Sequence, residues 1–320
     1  MLRYIFKRIV IAIPVFFGIT LVVFFLIMSM PGDPFSGMLD PGMSAEYKQK
    51  LLESYGYNDP IAVQYVKWLG RMLQGDLGYS NIYKARVLDI IGTRMGNTAL
   101  LGGVSLLIST FIGIPAGVYV ATHKRSLVDH GMTVFCFFGI SIPAFFFGML
   151  LILLFGMYLN CLPVSGMITA GANYKGLAHV IDVVRHMVMP VIVLSLLNIA
   201  SFMRYTRSSV IDVVGQDYIR TARAKGVSRW DLVAKHVLKN ALIPIITIIS
   251  LQIPSMLSGA LLTETVFVWP GVGQLNYQAV QNRDYFLIMG IVMVLAVITL
   301  AVNLIADICY ALVDPRIRYH

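Results

Sequence analysis

Six apolar runs, each long enough to cross a bilayer, leave this chain very little choice of fold: residues 9–30, 99–121, 132–157, 187–203, 241–263 and 287–312. A spanning helix needs about 17 to 25 mostly apolar residues, and within lipid only a helix or a closed barrel satisfies its own backbone N–H and C=O groups. Composition agrees, because 58% hydrophobic and only 13% charged residues over 320 positions is too apolar for a domain bathed in water. The expectation is an all-α membrane protein with six transmembrane helices forming one domain over 1–320. Arg3, Lys7 and Arg8 precede the first run as they would in a secretory signal. That run is too long for a signal and lacks a small-x-small cleavage site, so it reads as a retained anchor.

An even number of spans puts both termini on one side, and the distribution of Lys and Arg chooses the side. With the N-terminus cytoplasmic, the inner segments, counted together with Asp307 near the inner end of the last run, hold 15 of the 25 basic residues and 6 of the 16 acidic ones, so the entire net charge of +9 belongs to the inner face. This predicts a multi-pass protein of a bacterial or archaeal cytoplasmic membrane with both termini inside. It also accounts for the basic balance without nucleic acid, since the charge is spread over short loops facing an anionic leaflet.

The outer segment, 31–98, opens with Pro31-Gly32-Asp33-Pro34, a stop signal for the first helix. At 63–73, Tyr65, Trp68, Leu69 and Met72 alternate with Lys67 and Arg71 in the pattern of an amphipathic helix at the interface or on the protein's own outer end. The second outer loop, 158–185, is turn-rich around Leu162-Pro163-Val164-Ser165-Gly166.

Between the fourth and fifth runs lies a cytoplasmic loop, 204–240, with a definite internal pattern. In 216–226, Gln216-Asp217-Tyr218-Ile219-Arg220-Thr221-Ala222-Arg223-Ala224-Lys225-Gly226, the small residues Ala222 and Gly226 fall four apart on one helix face, where another protein's backbone could approach. Gly226 is suited to end that helix in a left-handed conformation, and Ser228 with Asp231 three residues later has the form of a capping box for the next. The sequence thus predicts helix, break, helix, and Arg204 and Arg207 place the end of the fourth span close by, so the connections are short.

Catalysis finds no support. There is no Gly-Lys dipeptide and hence no GxxxxGK[ST] phosphate cradle. Ser141 has no histidine at matching depth to serve as its base, and the neighbouring Pro143 reads as a helix kink. Cys136, Cys161 and Cys309 and the six histidines show no metal-ligand spacing, so no metal or cofactor is expected. The fifth run is unusually polar, with Thr247, Ser250, Gln252, Ser255, Ser258 and Thr263 around Pro254. Gln252, Ser255, Ser258 and Glu264 are the candidates for lining a translocation pathway; Glu264, at the outer end of an apolar run, must be solvated or paired. Asn303 and Asp307, one turn apart, read as partners near the inner surface.

With these residues in place, the chain resembles the membrane-spanning permease subunit of an ABC importer, in the dipeptide and oligopeptide branch that also includes nickel and other chelate carriers, and there the first of the two permease subunits. The resemblance runs from end to end through Pro31-Gly32-Asp33-Pro34, Gly75-Asp76-Leu77-Gly78, Ser141-Ile142-Pro143, Leu162-Pro163, the 216–226 stretch, Glu264-Thr265-Val266-Phe267, Trp269-Pro270-Gly271, Asn282-Arg283-Asp284-Tyr285 and Asp314-Pro315-Arg316-Ile317. It implies a type I ABC importer permease fold in which residues 220–226 form the helix that docks on an ATP-hydrolysing subunit. Ala222 and Gly226 match the third and seventh positions of the family's cytoplasmic motif, while Arg220 and Thr221 stand where Glu and Ala would, and Leu238-Lys239 replaces a Leu-Pro pair. The implied partners are a second homologous permease in a heterodimer, two ATP-binding cassette subunits and an extracytoplasmic binding protein. Peptides are the expected cargo, with a nickel or other metal chelate as the alternative. A self-contained carrier or channel is the rival reading, and the absence of a repeat between 1–160 and 161–320 counts against it.

Overall fold

The computed structural model describes residues 2–30, 42–56 and 58–313; the motifs at 31–34 and 314–317 lie outside the described residues, as do the side chains of Ser258 and Arg229. Nearly everything described is helical. Four helices are long and apolar enough to span a bilayer by themselves: Ile5–Met28, within α1 (Leu2–Met28), α4 (Val87–Thr122), α7 (Leu177–Val214), and Tyr285–Cys309, within α13 (Tyr285–Val313). Two bent pairs raise the number to six if each is one span. The run expected at 132–157 is two helices, α5 (Leu127–Ser141) and α6 (Ala144–Leu151, continued as a π-helix over Ile152–Tyr158), which meet at 97°. Pro143 is the physical reason: it lacks an N–H and forces the preceding residue into an extended conformation, and Ile142 has φ −81° and ψ 123°. The second pair, Leu232–Ala241 and Pro244–Met256, bends by 51° where Pro244 interrupts α10 (Leu238–Gly259).

The outer segment builds α2 (Ala45–Tyr55), α3 (Ile61–Leu73) and a two-residue hairpin, β1 (Tyr79–Ser80) with β2 (Ala85–Arg86), in the antiparallel register Tyr79↔Arg86. The amphipathic pattern at 63–73 does form a helix, and its apolar face packs on α1. Phe24 meets Tyr65 and Trp68 at ring-centroid distances of 5.4 and 5.5 Å, and the Thr20 and Tyr65 hydroxyls lie 2.8 Å apart. The second outer loop is shorter than predicted, because α7 already begins at Leu177. A buried carboxylate anchors that early start: Asp182 accepts hydrogen bonds from the Thr169 backbone N–H and hydroxyl, both at 2.7 Å, pinning the loop to the helix.

The centre of the molecule is the contact of α4 with α7. Gly113 and Gly117, one turn apart on α4, are pressed against the α7 backbone; a Cβ at Gly117 would lie 2.7 Å from the Met203 carbonyl oxygen, and one at Gly113 would lie 3.1 Å from that of Ile199. This is the small-xxx-small packing that lets two helices approach in lipid, where no hydrophobic effect drives them together. The buried serines Ser105, Ser109 and Ser195 add hydrogen bonds across the seam, with Ser109 Oγ donating to the Ser195 carbonyl at 3.3 Å. At the other edge, Arg8 on α1 pairs with Asp307 on α13 at 3.1 Å. That corrects the expected Asn303–Asp307 partnership, since an oppositely charged guanidinium outcompetes a neutral amide for a half-buried carboxylate.

Candidate functional site

The loop at 204–240 is where sequence and geometry meet most closely. Helix α7 runs past Arg204 and Arg207 to Val214, so the fourth helix extends farther than these residues suggested. Only Gly215 and Gln216 separate it from α8 (Asp217–Ala224). Gly226 then takes φ +79°, with its N–H donating to the Arg223 carbonyl at 3.0 Å and the Val227 N–H to the Ala222 carbonyl at 3.3 Å. These two bonds close a Schellman motif, for which glycine is favoured because an L side chain resists the left-handed region. Ser228 caps the next segment, α9 (Arg229–Asp231), which continues as a π-helix through Leu232–Val237 into α10. The Asp231 N–H donates to Ser228 Oγ at 3.2 Å, and that hydroxyl donates in turn to Asp231 Oδ2 at 2.9 Å. Lys235, hydrogen-bonded to the same carboxylate, holds the Asp231 carboxyl below the usual range, with Ser228 contributing second.

One element of the expected docking face is corrected. Ala222 does not look outward: it is 7% exposed and belongs, with Ile219, to an apolar cluster containing Ala121 of α4, Val210 of α7, Leu232, and Ala241 of α10. The helix turns its Ile219–Ala222 stripe to the body because that is its one apolar face, and its small residue lets α8 lie close to its own protein. Tyr218, Arg220, Thr221, Arg223, Ala224 and Lys225 make up the exposed side, and a Cβ at Gly226 would meet nothing within 4 Å. The surface offered to a partner is therefore basic, ends at Gly226, and is rigidly backed by the inner ends of three long helices.

The candidates of the fifth run separate from one another. Ser255 is exposed on α10, on the same stripe as Leu251, and Gln252 is half-buried beside it. Glu264 lies in α11 (Leu261–Val266) and is 0% exposed, so of the two states expected for it, solvated or paired, the structure shows the paired one. Its Oε1 accepts from the Thr98 hydroxyl at 2.7 Å and its Oε2 from the Gln274 N–H at 3.0 Å, while Thr98 Oγ1 receives the Val272 N–H at 2.8 Å. The Trp269 indole N–H donates to the Asn97 carbonyl at 3.1 Å, and the Asn97 amide donates to the Pro270 carbonyl at 2.9 Å. Glu264 is thus the pin of a clasp joining α4, α11 and α12 (Val272–Gln281). Gly271 and Gly273 press against it, because no side chain fits between the carboxylate and the start of α12. A buried carboxylate is affordable in an apolar surrounding only with such partners.

A further buried carboxylate, Asp284, was named in the sequence only as part of the 282–285 motif, with no role given to it. Asp284 accepts from the Ser80 hydroxyl at 2.6 Å and caps α13 through the Leu287 N–H at 3.3 Å, tying the hairpin to the last helix. At the inner end Asp129, N-capped by Ser126, receives a bidentate pair from Arg207 Nε and Nη2 at 2.9 and 3.0 Å, linking α5 to α7. Nothing local marks these partners, which lie 204 and 78 residues apart. The Gly113-Ile114-Pro115-Ala116-Gly117 spacing, by contrast, is a local helix-packing signal that sequence reasoning passed over.

Helices long and apolar enough to span a membrane, a helix–turn–helix packed on their ends, and buried polar clasps between them describe a multi-pass membrane component. Residues 113–319 match the family model described as binding-protein-dependent transport system inner membrane component, and residues 1–102 match its N-terminal companion. The chain belongs to this binding-protein-dependent transport family. It is 43% identical over 320 residues to the oligopeptide transport system permease protein AppB of Bacillus subtilis (strain 168), covering 100% of both chains. It is 38% identical over 337 residues to the dipeptide transport system permease protein DppB of Escherichia coli (strain K12), covering 100% of this chain and 99% of the relative. The inward-facing MetNI methionine ABC transporter shares the fold, with a TM-score of 0.55 at 15% identity over 70% of this chain and 96% of that one.

Proposed function

We propose that the chain is one permease of an ATP-driven importer for peptides, paired with a second homologous permease and served by two ATP-hydrolysing subunits and an extracytoplasmic peptide-binding protein. The observation that carries this is α8: a short helix with a basic outer face, locked by Ile219 and Ala222 to the inner ends of α4, α7 and α10. A helix held that firmly transmits a push to the membrane helices, whereas a loose loop absorbs it. ATP hydrolysis belongs to the partners, and alternating access follows when their closure draws the coupling helices of the two permeases together. Peptides are favoured over metal chelates by the relatives named above, which are oligopeptide and dipeptide permeases. Gln252, Ser255 and Ser258 line the pathway in this reading, and Glu264 serves it indirectly by holding α4 to α11 and α12.

Gly226→Val tests the coupling directly. The backbone strain alone is worth on the order of 1–2 kcal/mol, or at least about five-fold in uptake, and the added bulk stands where the partner docks. Gly226→Asn, which tolerates the left-handed region, is expected to lose less. The measurements are peptide-stimulated ATP hydrolysis by the reconstituted complex, uptake, and recovery of the ATPase subunits with the permease; wild-type values in all three for Gly226→Val would remove α8 as the coupling element.

The orientation reading places 31–98 and Lys175 outside and Lys124 and Arg229 inside, with both termini cytoplasmic. With Cys136, Cys161 and Cys309 replaced, a single cysteine at 175 is expected to react with an impermeant thiol reagent in intact cells and one at 124 is not. The opposite pattern would invert the topology.

A further inference from the structure

Beneath α8 the protein has two adjoining hollows, of whose lining only Arg223 also stands on the face offered to a partner. The first, about 620 Å³, lies between the end of α4, the end of α7 and the coupling loop, and it is lined by His123, Lys124 and Arg223 among apolar residues, with no carboxylate in its wall. Neither Lys124 nor Arg223 is engaged in an ion pair among the described residues. The second, about 560 Å³, is almost wholly apolar; it climbs α4 past Val118 and Pro115 to Ile114 and is walled on the other side by Trp230, Val233 and Leu238. The two share Thr122, His123 and Val233 in their walls, so a hollow with a cationic lining and a greasy one lie side by side.

The dimensions and chemistry fit one class of ligand. From Lys124 to Ile114 is about 15 Å along a helix at 1.5 Å per residue, half of a hydrocarbon core of about 30 Å, which is the depth of one leaflet. Trp230, 81% exposed, stands at the junction, as tryptophans do at the boundary between headgroups and acyl chains. Lys124 and His123 suit the partly negative end of α4 and Arg223 that of α8, and the meeting of these two helix ends brings Lys124 and Arg223 to one hollow. We infer that the elbow between α4 and the coupling helix binds an anionic phospholipid of the adjacent leaflet, its phosphate at Lys124 and Arg223 and one acyl chain along Ile114–Leu238. The site rests on the coupling loop lying at a membrane surface, as in the proposed function. A lipid wedged there touches Val227 and Leu232, next to the turn that sets the pose of α8, so the leaflet's composition bears on coupling.

Native mass spectrometry of the assembled importer, supplied with dioleoylphosphatidylglycerol or dioleoylphosphatidylcholine, tests it. The glycerol-headgroup lipid is expected to be retained in preference, and Lys124→Gln and Arg223→Gln each to cut that preference by roughly five-fold. Trp230→Ala is expected to weaken both lipids, while Lys175→Gln, a charge removed from another loop, leaves the preference intact. Equal retention of the two lipids, a preference unmoved by Lys124→Gln with Arg223→Gln, or displacement by glycerol phosphate as effective as by the lipid would overturn the inference, the last by assigning the hollow to a soluble anion. Peptide uptake by the same preparation separates the two ideas: uptake without a lipid preference sinks the lipid site alone, and a lipid preference without uptake sinks the transport reading alone.

Discussion

Gly273→Ala is expected to leave cells with almost no assembled transporter. A Cβ there would lie 2.6 Å from Leu261 Cα and 2.8 Å from Leu261 N, and backbone atoms cannot rotate aside as a side chain can. Relief requires α11 and α12 to part, and the same movement withdraws the Gln274 N–H from the fully buried Glu264 carboxylate. Overpacking of this kind costs about 1–3 kcal/mol, and a buried acceptor left without its partner adds about 1–3 kcal/mol. Their sum, about 2–6 kcal/mol, removes a large share of the stability margin of roughly 5–15 kcal/mol typical of folded proteins. Gly271→Ala acts in the same direction, because its Cβ would occupy the space of the Glu264 carboxylate itself. The thermal midpoint and monodispersity of the purified complex measure the effect; a wild-type midpoint for Gly273→Ala would show that α11 and α12 do not pack as described.

Arg207→Ala is the second large effect. Asp129, with its side chain 6% exposed, would keep the Arg125 N–H at 3.0 Å and lose both guanidinium bonds. Breaking a fully buried pair costs 3–5 kcal/mol; here the Arg207 side chain is 35% exposed, so roughly 2–4 kcal/mol is expected. The sign of the companion experiment is the informative part. Removing the stranded charge as well, in Arg207→Ala with Asp129→Ala, is expected to recover part of the loss, because what destabilises the single variant is an uncompensated carboxylate rather than a missing contact. A double variant less stable than the single one would mean that Asp129 acts mainly through its other bonds, to Arg125 and through the start of α5.

How much of this could be read from the chain depends on how far each cause reaches along it. The turn after α8 was legible because its determinants are local: a glycine at the left-handed position, and a serine and an aspartate three apart, set backbone geometry without help from elsewhere. The amphipathic helix at 63–73 was legible for the same reason. The break at Pro143 was visible as a kink, but its 97° angle was not, since a proline removes a hydrogen bond and leaves the packing around it to choose the direction. Ala222 shows the limit from the other side. Its small size signalled contact with another surface, and the sequence had no means of saying whether that surface belonged to another protein or, as in the cluster with Ile219 and Leu232, to this one.

The sequence by itself determined that this chain is a bundle of membrane helices, where its long polar loops fall, and that the loop at 204–240 folds as helix, tight turn and helix, because hydrophobic runs, charge and glycine or proline backbone effects act on their own neighbourhood. Only the tertiary structure decided that Glu264 is paired, as the sealed pin of a clasp with Thr98, rather than solvated, that Asp284 finds Ser80, and that Arg207 finds Asp129. A buried charge in an apolar protein must have a partner, so its presence was predictable; which partner, at separations of 166, 204 and 78 residues, is settled only when the helices that carry them come to lie side by side.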